Sequence, residues 1–161
     1  MNTPAQTTMA PAARQEHGDE LRVCVTGLSS DAHTWNLVYV QLLIEDLGHR
    51  VHNLGPCVPD SEIIETCRTR RPDLLVISTV NGHGFHTGRP LIEALREDRT
   101  LRDLPVVIGG KLGISDEGVQ DRTRTLLAAG YTAVFEEGAA GLSSFVSLIE
   151  ALPVGRQRGI A

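Results

Sequence analysis

Five short, apolar, β-branched runs, each followed by a stretch of helical pattern, constrain this chain more than any other feature. The runs are residues 21–26 (LRVCVT), 50–54 (RVHNL), 73–79 (DLLVIST), 104–108 (LPVVI) and 131–135 (YTAVF). Near-continuous apolar runs suit strands covered on both faces, hence a parallel sheet. Between them, Ile63, Ile64 and Cys67 mark the inner face of a helix that Asp60 caps and Arg71-Pro72 stops. Leu91, Ile92 and Leu95 mark the next helix. Ser115 is placed to cap a fourth that closes at Gly130, and Phe145, Leu148, Ile149 and Leu152 mark a fifth. Five βα units in succession predict an α/β fold, a doubly wound five-stranded parallel sheet with right-handed crossovers in the flavodoxin-like order 2-1-3-4-5.

The 161 residues suffice for one domain. Residues 1–19, rich in Ala, Pro, Thr and Gln, read as a disordered leader, residues 20–152 as the domain, and residues 153–161 as a loose tail. A formal charge of −5 supplies no basic footprint for nucleic acid or an anionic membrane. No apolar run approaches a membrane span, and the leader has no apolar segment to act as a secretory signal. Cys24, Cys57 and Cys67 form no C-x-x-C pair and read as reduced thiols of a cytoplasmic protein.

A sheet of this order binds ligands beyond the carboxyl ends of its strands, where the winding reverses between strands one and three. The loop there after strand one, residues 27–36, contains Ser30-Asp31-Ala32-His33. The loop after strand three, read as residues 80–88, contains Gly82-His83-Gly84-Phe85-His86. Long loops rich in Gly and His at that place point to function. Asp31-x-His33 is the central pair: a ligating imidazole usually donates its second N–H to a carboxylate, which fixes the tautomer and raises basicity at the metal. Asp31 as a simple helix cap beside a surface His33 is the plain alternative for the pair taken alone.

Forty-one residues separate Asn36 from Ser78-Thr79-Val80, and 28 more separate Val80 from Gly109-Gly110. With these elements in place the chain resembles the cobalamin-binding domain family, whose pattern is D-x-H-x-x-G, about forty residues, S-x-L, about twenty-eight residues, then G-G. The resemblance runs from about Leu21 to Leu152 and implies a Rossmann-like fold in which a histidine replaces the cofactor's own base on cobalt. It implies that His33 is the cobalt ligand, Asp31 its carboxylate partner, and Ser78 the hydroxyl that bonds the buried dimethylbenzimidazole. It further implies that Gly109 and Gly110 let the nucleotide tail pass close to the backbone, a clearance only glycine gives. The sequence departs from the pattern at Asn36 and Val80, where the family has Gly and Leu. Asn36 adds a side chain on the path of the tail.

Within that family the likeness is greatest to the small subunits of glutamate mutases, carried by Gly27, Ser30-Asp31-x-His33, Asn53-Leu54-Gly55, Gly82-x-Gly84 and Gly138. The resemblance implies adenosylcobalamin as cofactor and rearrangement of L-glutamate to threo-3-methylaspartate. It implies as partner a large TIM-barrel subunit that holds the substrate, since a barrel of roughly 250 residues exceeds this chain. No catalytic residue beyond the cofactor ligand is then expected here. Eight of the eleven residues from 37 to 47 are apolar or aromatic and lie on most sides of a helix, which suits cover by sheet and neighbouring helix, with tail or partner contact beside it. Three other readings compete: a stand-alone corrinoid-binding sensor or carrier; a zinc or iron site of Asp31, His33, His83 and His86; and a phosphoacceptor domain, which lacks its acidic cluster and lysine here.

Overall fold

The computed structural model describes residues 20–154. The expected leader and most of the expected tail lie outside these residues. Ten elements alternate: β1 (Arg22–Thr26), α1 (Trp35–Asp46), β2 (Arg50–Asn53), α2 (Asp60–Arg70), β3 (Leu74–Thr79), α3 (Gly84–Glu97), β4 (Val106–Gly110), α4 (Val119–Ala129), β5 (Ala133–Glu136) and α5 (Ala139–Ala151). All strand pairs are parallel, in the order β2-β1-β3-β4-β5 anticipated above.

Successive side chains on a strand point to opposite faces, and the two faces build separate cores. Val23, Val25, Leu74, Val76 and Val107 pack with Leu37 and Ile44 of α1 and with Phe145 and Ile149 of α5. Cys24, Leu75, Ile77, Val106 and Ile108 pack with Ile63 and Cys67 of α2, Leu91, Ile92 and Leu95 of α3, and Leu126 of α4. Among the described residues, no helix is long and apolar enough to cross a membrane.

Element boundaries differ from expectation for identifiable reasons. The Gly-rich stretch read as a nine-residue loop holds only four loop residues, because α3 starts at Gly84. Its glycines serve packing: a Cβ on Gly84 would come within 2.5 Å of Thr79 Cγ2, and one on Gly88 within 2.7 Å of Ile108 Cδ1. Tyr131 adds a 2.6 Å hydrogen bond from its hydroxyl to the Gly88 carbonyl. Gly109-Gly110 belongs to β4 and pairs with Ser78 and Thr79 on one side and Phe135 and Glu136 on the other. Ser115 does not cap α4, which begins after Gly118; its carbonyl instead accepts a 2.9 Å bond from Arg122. Asp60 is the first residue of α2 and Pro59 its cap position, while Arg71 ends that helix in the left-handed region at φ 46°. Gly130 closes α4 as expected.

Candidate functional site

The loop between β1 and α1 is anchored to the strand ends on both sides. Its Gly27 N–H donates to the Gly55 carbonyl at 3.0 Å, and the Asp31 carbonyl accepts from the Cys57 N–H at 2.9 Å. Asp31 itself is buried, 1% exposed. Its Oδ1 accepts from the His33 N–H at 3.1 Å and lies 2.7 Å from His33 Nδ1. Its Oδ2 accepts from the Thr79 hydroxyl and from the Val80 N–H, each at 2.8 Å. Burial alone would raise its pKa, but the bonds from Val80, His33 and Thr79 outweigh it and hold the carboxyl at about 2.

An ionised carboxylate only accepts hydrogen bonds, so His33 Nδ1 carries a proton toward Asp31, and Nε2 makes no hydrogen bond among the described residues. The side chain of His33 is half exposed. The site therefore presents one imidazole oriented through Nδ1 by a buried carboxylate, with its Nε2 unengaged among the described residues.

Three residues further on, Asn36 lies in the first turn of α1 and lines a slot of about 240 Å³ between α1, α5 and the carboxyl ends of β3, β4 and β5. Val76, Val107, Phe135, Leu142 and Phe145 make it largely apolar, with Phe135 and Phe145 packed edge to face. Ser78, Val80, Gly109, Gly110 and Gly138 line it as well. The Asn36 side chain does not stand free in the slot: it is 4% exposed, and its Nδ2 donates to Ser78 Oγ at 2.9 Å.

Each slot glycine also has a reason within the fold. A Cβ on Gly109 would lie 3.1 Å from the Phe135 carbonyl, and one on Gly110 2.0 Å from the Thr79 carbonyl, at φ 103°. Gly138 precedes α5 at φ 124° with no atom within 4 Å of a built Cβ.

Other expected residues lie beside the slot. Ser30 is exposed, with its carbonyl accepting from Asn81 Nδ2 at 2.8 Å. Gly82 is buried at φ 81° and donates to the Lys111 carbonyl at 3.2 Å, away from the slot lining. His83 and His86 are exposed, and no group of three or more His, Cys, Asp or Glu able to hold a metal occurs among the described residues. The reading of Asp31, His33, His83 and His86 as a convergent metal site is not supported.

Several participants escaped the sequence. Thr79 is fully buried and anchors Asp31; its place one residue after Ser78, on the opposite face of the strand, was the available signal. Trp35 and Tyr39 form the outer rim of the slot, and Glu136 and Gly141 its far side. Trp35, Val38, Tyr39 and Leu42 leave an exposed apolar stripe on α1, so neighbouring elements cover only part of this helix.

The B12 binding domain family model matches residues 21–145. The glutamate mutase sigma subunit of Carboxydothermus hydrogenoformans is 25% identical over 133 residues, 83% of this chain and 96% of that protein. The HTH-type transcriptional repressor CarH of Myxococcus xanthus is 30% identical over 113 residues, 70% of this chain but 36% of the repressor. Among solved structures, a cobalamin-binding protein from Desulfitobacterium hafniense superposes with a TM-score of 0.62 at 21% identity. The match covers 80% of this chain and 58% of that one, so this chain spans a little over half of it.

Proposed function

The chain belongs to the B12 binding domain family, and from that premise we propose that it is the cobalamin-binding subunit of an adenosylcobalamin-dependent carbon-skeleton mutase of the glutamate mutase type. The observation that carries the reading is the Asp31–His33 pair, whose free Nε2 stands three residues from the residue that opens an apolar slot. In this reading His33 is the lower cobalt ligand, Asp31 fixes its tautomer, and Thr79 and the Val80 N–H fix Asp31. Ser78, Val80, Gly109, Gly110 and Gly138 hold the nucleotide tail in the slot. Ser30 and Gly82 shape the loops around the corrin.

The donor set fits the group. An imidazole backed by a carboxylate suits cobalt, and a largely apolar slot with a hydroxyl at its wall suits a displaced aromatic base. Bound adenosylcobalamin supplies radical chemistry by cobalt–carbon homolysis, while the protein positions it. Similarity to glutamate mutase sigma subunits supports the substrate assignment, L-glutamate to threo-3-methylaspartate, with a separate TIM-barrel subunit. Substrate carboxylates are usually held by fixed arginines; here Arg89, near the site in sequence, is exposed and paired with Glu93 at 2.9 Å. A cytoplasmic setting accords with three free thiols.

Two measurements test the reading. Electron paramagnetic resonance of the cob(II)alamin complex, with nitrogen-labelled histidine, is expected to show imidazole coupling; coupling from dimethylbenzimidazole alone would remove His33 as ligand. Chain loaded with adenosylcobalamin is expected to leave glutamate unchanged alone and to form methylaspartate with the barrel subunit. The second reading, a corrinoid-binding sensor or carrier without mutase activity, is favoured by similarity to the Myxococcus xanthus repressor and by Asn36 in place of glycine. Loss of turnover with a fully loaded cognate pair would select it.

A further inference from the structure

The segment that leaves β3 holds the loop of Asp31 and His33 at successive points. Thr79 and Val80 bond the Asp31 carboxylate. Asn81, the next residue, reaches one residue further back: its Nδ2 donates to the Ser30 carbonyl at 2.8 Å. Its Oδ1 is engaged at the same time, accepting from the His83 N–H at 2.9 Å across the turn that Gly82 makes at φ 81°. A side-chain amide has one end that accepts and one that donates. Only this orientation serves both neighbours; the reverse would set oxygen against the Ser30 carbonyl and NH2 against the His83 N–H.

The two bonds have different consequences. The bond to His83 closes the turn between β3 and α3 on itself. The bond to Ser30 spans 51 residues of chain and joins that turn to the loop between β1 and α1. On the far side of Asp31, the Cys57 N–H holds the Asp31 carbonyl at 2.9 Å. A carboxylate bonded at its oxygens alone leaves its backbone free to pivot about them. Fixing the peptide before Asp31 and the peptide after it removes that freedom.

We infer that Asn81 is a positioning residue for the metal-binding histidine: its amide holds the Ser30–Asp31 peptide, and through it the Asp31 carboxylate and the His33 ring. This rests on the reading of His33 as the lower cobalt ligand.

The test compares the full chain with three variants at this position. Asn81→Ser keeps an oxygen that serves the turn at His83 but has nothing where Nδ2 stands. Asn81→Ala loses both bonds. Asn81→Asp keeps the shape and sets an acceptor against the Ser30 carbonyl. Each is measured for urea midpoint, amide exchange of residues 31–33 in the free chain, and cobalamin affinity by corrin absorbance. The cob(II)alamin complex, with nitrogen-labelled histidine, is measured for imidazole coupling. Asn81→Ser is expected to keep the wild-type midpoint, exchange faster at 31–33 and bind cobalamin about three- to tenfold more weakly. A smaller share of its cobalt is expected to show imidazole coupling at saturation. Asn81→Ala is expected to lose affinity and midpoint together. Asn81→Asp is expected to weaken binding as serine does, and it decides the matter where the serine variant does not fold. A serine variant that exchanges and binds as wild type overturns the inference, because Asn81 then serves the turn alone. Affinity that follows only the midpoint across the three variants, or imidazole coupling unchanged in all of them, overturns it too. A wild-type chain that binds no cobalamin, or binds it without histidine coupling, brings down the cofactor reading and this inference with it. Wild-type coupling with indifferent variants removes only the role of Asn81.

Discussion

Asp31 Oδ1 lies 2.7 Å from His33 Nδ1, and the same carboxylate reaches across the sheet's switch point to Thr79 at the end of β3 and Val80 just beyond it. The pair is therefore fixed from the end of β3 and not by local loop geometry alone. Asp31→Asn keeps the side chain's shape but turns one acceptor oxygen into a donor, facing either the imidazole or the Thr79–Val80 pair. We expect cobalamin affinity to fall about 10- to 100-fold, measured by titration of corrin absorbance, as for other lost partners of a metal-binding histidine. An unchanged affinity would show that the tautomer is set elsewhere.

The same carboxylate links stability to pH. Its pKa is lowered from 3.8 to about 2 in the folded chain, against the opposing pull of burial, by hydrogen bonds from Val80, His33 and Thr79. A lowered folded pKa stabilises above the unfolded value and loses that stabilisation as pH falls through the folded one. The contribution is about 2 kcal/mol at neutral pH, lost between roughly pH 4 and pH 2. Asp98, which Thr100 and Arg68 also hold at about 2, titrates in the same window. The comparison is therefore wild type against Asp31→Asn: urea midpoints are expected to fall less steeply with acid in the variant. Parallel curves would exclude Asp31 as a source of the acid sensitivity.

Thr79 is the anchor that the sequence did not reveal, and Thr79→Val removes its hydroxyl while keeping its volume. A buried bond to a charged group is worth about 1.5–3 kcal/mol, so unfolding by urea is expected to shift by that order. Cobalamin binding is expected to weaken with it, because Asp31 loses one of the two donors on Oδ2. Thr79→Ser, which restores the donor, is expected to recover most of the affinity. If Thr79→Val destabilises the chain but leaves affinity unchanged, Thr79 acts on the fold alone.

The fold was legible because its signals are periodic and local. Apolar β-branched runs at regular spacing dictated five parallel strands, and their order followed from the habit of such sheets. What misled was glycine, which has no side chain to state its purpose. Gly84 and Gly88 read as loop residues but lie in a helix pressed on the sheet, and Gly109-Gly110, read as lying just beyond strand four, pairs within β4. In the site, Asp31 and His33 were legible as a short-range pair. The contacts from Thr79 to Asp31 and from Asn36 to Ser78 span 48 and 42 residues, and a pattern along the chain cannot carry them.

Gly88 offers a test of that close approach. A Cβ there would sit 2.7 Å from Ile108 Cδ1 and 3.0 Å from the Tyr131 hydroxyl oxygen. Tyr131 is pinned to the Gly88 carbonyl and has little room to yield. Gly88→Ala is expected to destabilise by about 1–3 kcal/mol despite the better helix propensity of alanine, read as a lowered thermal midpoint. A neutral or stabilising effect would mean that α3 can slide on the sheet.

The last expectation concerns α1, which is set up to gain order from what fills the slot. Its N-cap position, Thr34, makes no side-chain capping bond, and its last turn carries no basic residue to oppose the helix dipole. Leu37 and Ile44 hold it to the sheet, but Trp35, Val38, Tyr39 and Leu42 remain exposed, from 49% to 63%. Trp35 and Tyr39 also form the slot rim, so an occupant there adds apolar contact on the side the fold leaves open. Amides of residues 35–46 are therefore expected to exchange faster than those of β3 in the free chain and to slow when cobalamin binds. Trp35, the sole tryptophan, reports the same event through a change in its emission on titration. Equal protection of α1 with and without cofactor, together with unchanged Trp35 emission, would show that the helix is already complete and that the tail docks elsewhere.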